Sequence, residues 1–390
     1  MAAVTLPNIS YYPSERQANS FWETIPRSFP DITRVPLGFP EKLKSPLAWK
    51  ASDIKAHLSD YVIKLSLEDV AHVETALFSF KEMSLETSAL SARTFRLPQE
   101  LAGRLKAVSA ECYSGVGFNI IRGLDPAKYS AADNVIIYAG IASHVAPERG
   151  FIDRKRESVI SHLLNVSSAV TPAYTLEKVA FHSDNSEIMG LYVLESAHSG
   201  GKLSLSSSFD LYNKLALNHP GVLETLASPW VLDTFKDYAK YPPLRMPFLH
   251  RAGTDKIIFR FSRYPLTGFQ GLKRNPSLPA LTEAQVKALD AVQFMAAANS
   301  IEIPMMKGDI LFVNDQAIMH ARGSFSDKDF AQRHLLKMFL RDPERSWSVS
   351  GVALEQRQKI YGANQVDGSR VETWWTDFEQ GQEGESPTNG

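Results

Sequence analysis

In Phe181-His182-Ser183-Asp184 an imidazole and a carboxylate stand two positions apart, so on an extended strand both side chains leave the same face. A second histidine, His320, comes after the apolar run Ile310 to Val313, which reads as a strand leading into a loop that presents the imidazole. Two neutral imidazoles and one carboxylate form a facial triad. Such a set holds Fe(II) through three positions and leaves the opposite face open for a cosubstrate and O2. A His-x-Asp tripeptide is common by chance, so the weight of this reading comes from the residues beyond His320. Arg333 lies thirteen residues on, in a segment with strand character. A guanidinium held near the metal by a strand pairing back across a barrel could grip the distal carboxylate of a dicarboxylate with a bidentate fork.

The segment Phe259-Arg260-Phe261-Ser262-Arg263-Tyr264 alternates aromatic and polar residues. On a strand, Arg260 and Ser262 share one face and Arg263 takes the other. Arg260 and Arg263 are therefore the candidates for binding a substrate carboxylate or sulfonate, with arginines packed on aromatic rings as the competing account. Tyr192 and Phe118 read as core. Trp374 and Trp375 read as a clamp on the C-terminal end, and His162, His198 and His334 as satisfied or exposed histidines rather than further ligands.

The elements that must position these residues are read from turn formers and periodicity. Seven prolines between Pro7 and Pro46 punctuate the start of the chain, and residues 1–50 are expected to run as an extended arm over the surface. Ser66, with Asp69 three residues on, caps a helix whose Val70, Val73, Leu77 and Phe80 share a face. Pro98 opens a second helix that ends at Gly115. Beyond it, Phe118 to Arg122, Val159 to Val166, Met189 to Leu194, Leu203 to Ser207, Lys256 to Phe261, Ile310 to Val313 and Leu335 to Leu340 read as short strands. One helical passage begins after the serines at 206–208 and is broken at Pro220; another starts at Thr282, with Gln285 completing a capping box. Helices first and many short strands after them give an α+β fold built on a double-stranded β-helix, or jelly roll, with flanking helices. A single domain is expected over residues 51–376, with a helical insertion at about 209–300 and a disordered polar tail at 377–390.

Composition narrows the function classes. The chain has 390 residues, 44% apolar and 22% charged, enough for a sizeable core. Lys plus Arg number 42 against 43 Asp plus Glu, and a net charge of −1 gives no field that would recruit nucleic acid or anionic lipid. No apolar run approaches the roughly 18 residues of a membrane span, and no basic stretch followed by an apolar core opens the sequence. The single cysteine, Cys112, excludes an intrachain disulfide and fits a reducing compartment, so a cytoplasmic location is expected. A P-loop, a Gly-x-Ser-x-Gly elbow, a complete dinucleotide loop and a Cys-x-x-Cys pair are all missing from the sequence.

Taken together, Phe-His-Ser-Asp at 181–184, Gly200-Gly201, Gly308-Asp309, His320-Ala321-Arg322 with Phe325 and Asp327, and Arg333-His334-Leu335 resemble the TauD/TfdA (taurine dioxygenase-like) family of Fe(II)- and 2-oxoglutarate-dependent oxygenases, and are most similar to its fungal-type members. Gly115 to Leu124 is similar to the family's early strand, so the likeness spans about residues 110–345. It implies that His182, Asp184 and His320 are iron ligands and Arg333 the 2-oxoglutarate anchor. The family pattern has a threonine two residues beyond the Gly-Gly pair, where this chain has Leu203. Ser204 or Ser206 is the expected substitute, unless Arg333 acts with fewer partners. Lys337 stands where relatives commonly have another arginine and is grouped with Ser204 and Arg333 at the cosubstrate site.

The implied reaction consumes 2-oxoglutarate and O2, releases succinate and CO2, and oxidises an unactivated C–H bond of a small polar metabolite by hydroxylation, desaturation or ring closure. A carboxylate or amino acid from specialised metabolism is the expected substrate, and self-association is left open. Two rivals are a jelly-roll metalloenzyme using the same triad for hydrolysis or isomerisation, and a non-catalytic binding protein on the same scaffold. Arg333 discriminates the first, because a hydrolase has no need of a cosubstrate anchor.

Overall fold

The computed structural model describes residues 9–13, 21, 29, 32–153, 155–166, 169, 171–328 and 331–376. Pro7, Pro26, Pro30 and the expected tail at 377–390 lie outside the described residues.

Two sheets carry the architecture. In chain order their strands are Val62–Lys64 (β1), Phe118–Arg122 (β2), Glu148–Gly150 (β3), Ser161–Leu163 (β4), Val179–His182 (β5) and Ile188–Glu195 (β6). After these come Leu203–Ser207 (β7), Ser300–Ile303 (β8), Ile310–Asn314 (β9), Ile318–Arg322 (β10) and His334–Arg341 (β11). The larger sheet runs β1-β2-β9-β6-β11-β3, with β4 also paired to β11; the smaller runs β8-β7-β10-β5. All these pairings are antiparallel except β1 with β2, and one apolar core takes in residues of both sheets. This is the jelly roll expected from the sequence.

The strands read as they do because of where they lie. β9 pairs with β2 and β6, is covered on both faces, and is apolar from Ile310 to Val313. In β11 the two faces part company: Leu336, Met338 and Leu340 alternate with Leu335, Lys337 and Phe339, and it is Lys337 that reaches the smaller sheet's histidine end by pairing with Asp184. On the opposite side of the larger sheet, the Gln99–Ser114 and Ala131–Val145 helices cover the strands. Tyr192 is core, as expected, its ring packed on Tyr138 and its hydroxyl donating to Asn134 Oδ1 at 2.9 Å. The smaller sheet is backed by the Glu283–Ala298 helix.

Helix boundaries obey capping chemistry. Ser66 accepts from the Asp69 backbone N–H while the Asp69 carboxylate accepts from that of Ser66, which starts the Leu67–Glu82 helix as predicted. Thr282 and Gln285 do the same for Glu283–Ala298. Pro220 ends one helix only to begin the next, Pro220–Ala227, at the position where its missing N–H costs nothing. The Ala131–Val145 helix has no polar stripe, because it is buried against both the sheet and its neighbouring helices, and so offers no 3.6-residue period to detect.

Two expectations are corrected here. Residues 1–50 do not all lie on the surface: Leu43, Leu47 and Trp49 enter the main core, and Trp49 Nε1 donates to the Val116 carbonyl at 2.8 Å. The prolines fix φ without deciding burial, and the apolar residues between them decide it. The segment between β7 and β8 is mixed rather than helical, since it also holds the strands Trp230–Leu232, Leu244–Met246, Leu249–Ala252 and Lys256–Phe259. Near the C-terminal end, Trp375 Nε1 donates to Ser158 Oγ at 2.8 Å and Arg149 lies over the Trp374 ring.

Candidate metal centre

His182 closes β5 and His320 sits in the middle of β10, directly opposite it in register. The imidazoles therefore face each other across two strands, with ring centroids 4.1 Å apart. His320 is thus presented by a strand and not by the loop anticipated from sequence; the turn is used up at Asp315 to Ala317. Asp184 lies just past β5. Its backbone N–H donates to Asp315 Oδ1 at 2.9 Å, and Ser186 donates to Asp315 Oδ2 from both N (3.0 Å) and Oγ (2.9 Å), so one buried carboxylate ties down the loop that carries another. One ligating atom from each of His182, Asp184 and His320 lies within 4.8 Å of the other two.

The hydrogen bonds leave the right atoms free. His182 Nδ1 is engaged with the Ala180 carbonyl at 2.9 Å, so Nε2 keeps its lone pair and lies 3.9 Å from Asp184 Oδ1. Asp184 Oδ2 accepts from Lys337 Nζ at 2.9 Å, while Oδ1, fully buried, has no hydrogen-bond partner among the described residues. His320 Nδ1 is likewise unpartnered, 3.8 Å from Asp315 Oδ1. A buried acceptor without a partner is costly, and a cation between Asp184 Oδ1 and His182 Nε2 removes that cost.

Protonation states suit a divalent metal. Burial pushes both imidazoles below the ordinary histidine range, His320 furthest because His182 and Lys337 also oppose its charge. Burial raises the Asp184 carboxyl, but Lys337, His320 and His182 outweigh it and hold the group below the usual carboxylate range. Asp315 is driven the other way, up to about 7, by burial and by the charge of Asp184. Two neutral nitrogens and one carboxylate oxygen make a donor set that fits Fe(II) with open positions.

A cavity of ≈ 140 Å³ lies toward the start of β11. Arg333 lines it together with Gly200, Gly201, Leu203, Val193 and Leu335. The guanidinium is buried against the Phe325 ring, 5.3 Å from its centroid, and burial lowers its pKa to about 10 despite Asp327 nearby. Gly200 shapes the approach: its φ is +77°, and a Cβ there would lie 2.3 Å from the Ser324 carbonyl oxygen. Register excludes Ser204 from this cavity. Leu203 and Leu205 pair with Arg322 and His320 and share their face, whereas Ser204 pairs with Ala321 and Glu302 on the other face, and Ser206 Oγ donates to the Asn299 carbonyl at 3.1 Å. Lys337 is corrected as well. It is committed to Asp184 and does not line the cavity with Arg333.

A wider cavity of ≈ 500 Å³ opens beside Ser183 and Asn185, the residues that flank Asp184. Arg260 lines it, donating to the Asn185 carbonyl at 3.2 Å and to its Oδ1 at 3.3 Å. Arg263 does not. It lies past the strand, at the start of the Tyr264–Thr267 helix, where it pairs with Asp290 Oδ1 at 2.8 Å and donates to the carbonyls of Ser10 and Tyr11. Its expected substrate role is therefore replaced by a structural one. Nothing in the sequence singles out Asp315, because its value to the site depends on contacts with Asp184 and Ser186 that are about 130 residues distant.

The family model described as "Taurine catabolism dioxygenase TauD, TfdA family" matches residues 82–339. The chain belongs to the TauD/TfdA family. A taurine hydroxylase-like protein, SAT17 of Stachybotrys chartarum, is 33% identical over 333 residues, 82% of this chain and 85% of that one. FR-33289 synthase of Streptomyces rubellomurinus is 25% identical over 322 residues, covering 77% and 91%. Among solved structures, asparagine oxygenase in complex with Fe(II), 2S,3S-3-hydroxyasparagine and succinate superposes with a TM-score of 0.58 at 15% identity, over 80% of this chain and all of that one. The non-heme iron oxygenase OrfP in complex with Fe and alpha-ketoglutaric acid gives 0.53 at 16%, covering 73% and 95%. As a TauD/TfdA member the chain is an Fe(II)- and 2-oxoglutarate-dependent dioxygenase that consumes O2. Among the described residues no helix is long and apolar enough to cross a membrane.

Proposed function

We propose that His182, Asp184 and His320 hold Fe(II), that Arg333 receives the distal carboxylate of 2-oxoglutarate, and that the wider cavity receives a small organic acid whose unactivated C–H bond is oxidised. The observation that carries this reading is the unpartnered Asp184 Oδ1 3.9 Å from the free His182 Nε2, in a buried cluster where one ligating atom each of His182, Asp184 and His320 lies within 4.8 Å of the others.

The order of features along β11 supports the division of labour. Leu335, Lys337 and Phe339 project from one face at intervals of about 7 Å. Leu335 belongs to the smaller cavity, Lys337 to the triad through Asp184, and Phe339 to the wider cavity. Cosubstrate site, metal site and substrate site thus succeed one another along a single strand.

When bound, Fe(II) with 2-oxoglutarate and O2 supplies an oxidant strong enough to remove hydrogen from carbon, and succinate and CO2 are released. The chain's residues set up the rest. Ala180 fixes the His182 tautomer, so that Nε2 and not Nδ1 faces the metal position. Lys337 occupies Asp184 Oδ2 and leaves Oδ1 as the single oxygen available for coordination. Leu203, Val193 and Leu335 keep water from the methylene chain of the cosubstrate, and Arg333 meets its far end with a charge that burial strengthens. The solved relatives' bound hydroxylated amino acids are in keeping with a small polar substrate.

Calorimetric titration with Mn(II), a redox-quiet substitute for Fe(II), tests the ligand set. One ion per chain should bind, and Asp184→Ala should abolish binding. Retention of stoichiometric binding in that variant would displace Asp184 from the ligand set.

A further inference from the structure

We propose that Asp315 is a positioning residue for the metal centre: its carboxylate receives the Nδ1–H of His320, so that one buried side chain aligns two of the three ligands. The proposal rests on the metal-centre reading given under Proposed function and deepens it.

Asp315 stands on a fixed support. It follows β9 directly, and Asn314 pins the turn that leads into β10. Asn314 Oδ1 accepts from the backbone N–H of Gln316 at 2.9 Å and of Ala317 at 3.2 Å, while its Nδ2 donates to the Cys112 carbonyl at 2.9 Å. The Asp315 backbone N–H donates to the Glu187 carbonyl at 3.0 Å. The carboxylate is thereby held between the loop that carries Asp184 and the strand that carries His320.

Its two oxygens have different tasks. Oδ2 accepts from both Ser186 donors, whereas Oδ1 accepts from the Asp184 N–H and keeps a further acceptor position. His320 Nδ1 lies 3.8 Å from that Oδ1 and has no hydrogen-bond partner. Asp315 is 1% and His320 7% exposed, so bulk water does not compete for either group. An approach of about 1 Å makes an ordinary N–H···O bond. With its proton on Nδ1, the ring keeps a lone pair on Nε2, the nitrogen that a divalent ion then takes, and the bond to the carboxylate fixes the ring's orientation. Both histidines are then built alike, since His182 Nδ1 is engaged by the Ala180 carbonyl and also leaves Nε2 free.

Charge points the same way. Lys337 pairs with Asp184 at 2.9 Å and offsets it, and burial disfavours a positive charge on either imidazole. Among the described residues no lysine or arginine lies within ion-pair distance of Asp315. Its carboxylate is the negative charge left over to favour a divalent cation in a poorly screened interior. Fastening the loop needs hydrogen-bond acceptors only; an unpaired carboxylate beside an unpartnered imidazole does more than that.

Co(II) is titrated into the full-length chain at pH 8 by calorimetry, and the loaded protein is read by proton NMR, in which the ring N–H groups of coordinated histidines give strongly shifted, exchangeable signals. Two such signals are expected, one from each histidine. Asp315→Ala should weaken Co(II) binding about tenfold or more, and should displace or remove one signal while the other stays in place. Ser186→Ala loosens the loop but spares the His320 contact; it should keep both signals and bind within about threefold of the unsubstituted chain. Asp315→Asn keeps the shape and one acceptor without the charge, and supplies the same comparison should Asp315→Ala fail to fold. Unmoved signals or unweakened binding in the Asp315 variant would overturn the proposal, and so would equal effects of the Asp315 and Ser186 variants, which would reduce Asp315 to a loop tie. Failure of the metal-centre reading looks different: Co(II) then does not bind the unsubstituted chain, or binds Asp184→Ala equally well, and this proposal falls with that reading. Loss of binding in Asp184→Ala with no response in the Asp315 variant would count against Asp315 alone.

Discussion

Removing the Arg333 guanidinium tests the cosubstrate site on its own. The side chain is buried, lies over Phe325, and meets no carboxylate within ion-pair distance among the described residues, so its charge is available to a ligand. The facing wall offers Leu203 where a hydroxyl would share the load. On the proposed reading Arg333 carries most of the anchoring. A hydrogen bond to a charged group is worth about 1.5–3 kcal/mol, which corresponds to roughly tenfold to over a hundredfold in affinity. Arg333→Gln should weaken 2-oxoglutarate binding by that factor, measured by anaerobic titration of the Fe(II)-loaded protein, while leaving metal affinity unchanged. Arg333→Lys keeps the charge, loses the fork and should fall between the two. A change of less than about threefold in Arg333→Gln would refute the placement of the distal carboxylate.

Other consequences can be checked in parallel. His182→Ala and His320→Ala should each abolish Mn(II) binding while thermal unfolding stays cooperative, since the core is assembled without the triad; a loss of cooperative unfolding would show that these imidazoles are needed for folding. Lys337→Met should tighten metal binding at neutral pH, because an ammonium 2.9 Å from Asp184 Oδ2 opposes a second cation; weaker binding at pH 7.5 would mean that Lys337 is required to hold Asp184 in place. Gly200→Ala should cost about 1–3 kcal/mol in denaturant unfolding, as φ is +77° and the Ser324 carbonyl blocks the added methyl; an unchanged midpoint would show that the contact with Ser324 relaxes freely. Burial lowers His334 and His250 from 6.5 to about 4, with His162 and Arg260 respectively adding to the effect. The unfolded chain then binds protons between these values that the folded chain refuses, so stability is full above pH 6.5 and declines as pH falls toward 4. His334→Gln should flatten part of that decline in urea midpoints taken at pH 7, 5.5 and 4.5, and an identical slope would remove His334 from the account.

Part of the site is legible in the sequence because its residues lie on strands or just beyond their ends, where spacing still carries information about the face. His182 and Asp184, two positions apart at the end of β5, are brought together by alternation, whereas Arg333 just precedes β11 and Arg260 and Arg263 follow the Lys256–Phe259 strand. The features that cannot be read are set by pairing between distant segments. Ser204 reads as a cosubstrate ligand because it neighbours Leu203, but the register of β7 against β10 turns it away. Lys337 groups with Arg333 in sequence because both lie on or beside one strand, yet the two are separated by about one more repeat and Lys337 meets Asp184 instead. Asp315 gives no signal, since a buried carboxylate that fastens a loop looks in sequence like any turn aspartate. Capping boxes locate two helices well, whereas the Ala131–Val145 helix, buried on several sides, has no polar face to mark it.

Addition of Fe(II) and then 2-oxoglutarate to the purified protein without oxygen tests the central claim most directly. Chelation of the 2-oxo acid at an iron held by His182, Asp184 and His320 should produce a weak visible charge-transfer band, and His182→Ala should lose it. Absence of the band in the unsubstituted protein, with iron demonstrably bound, would contradict the account.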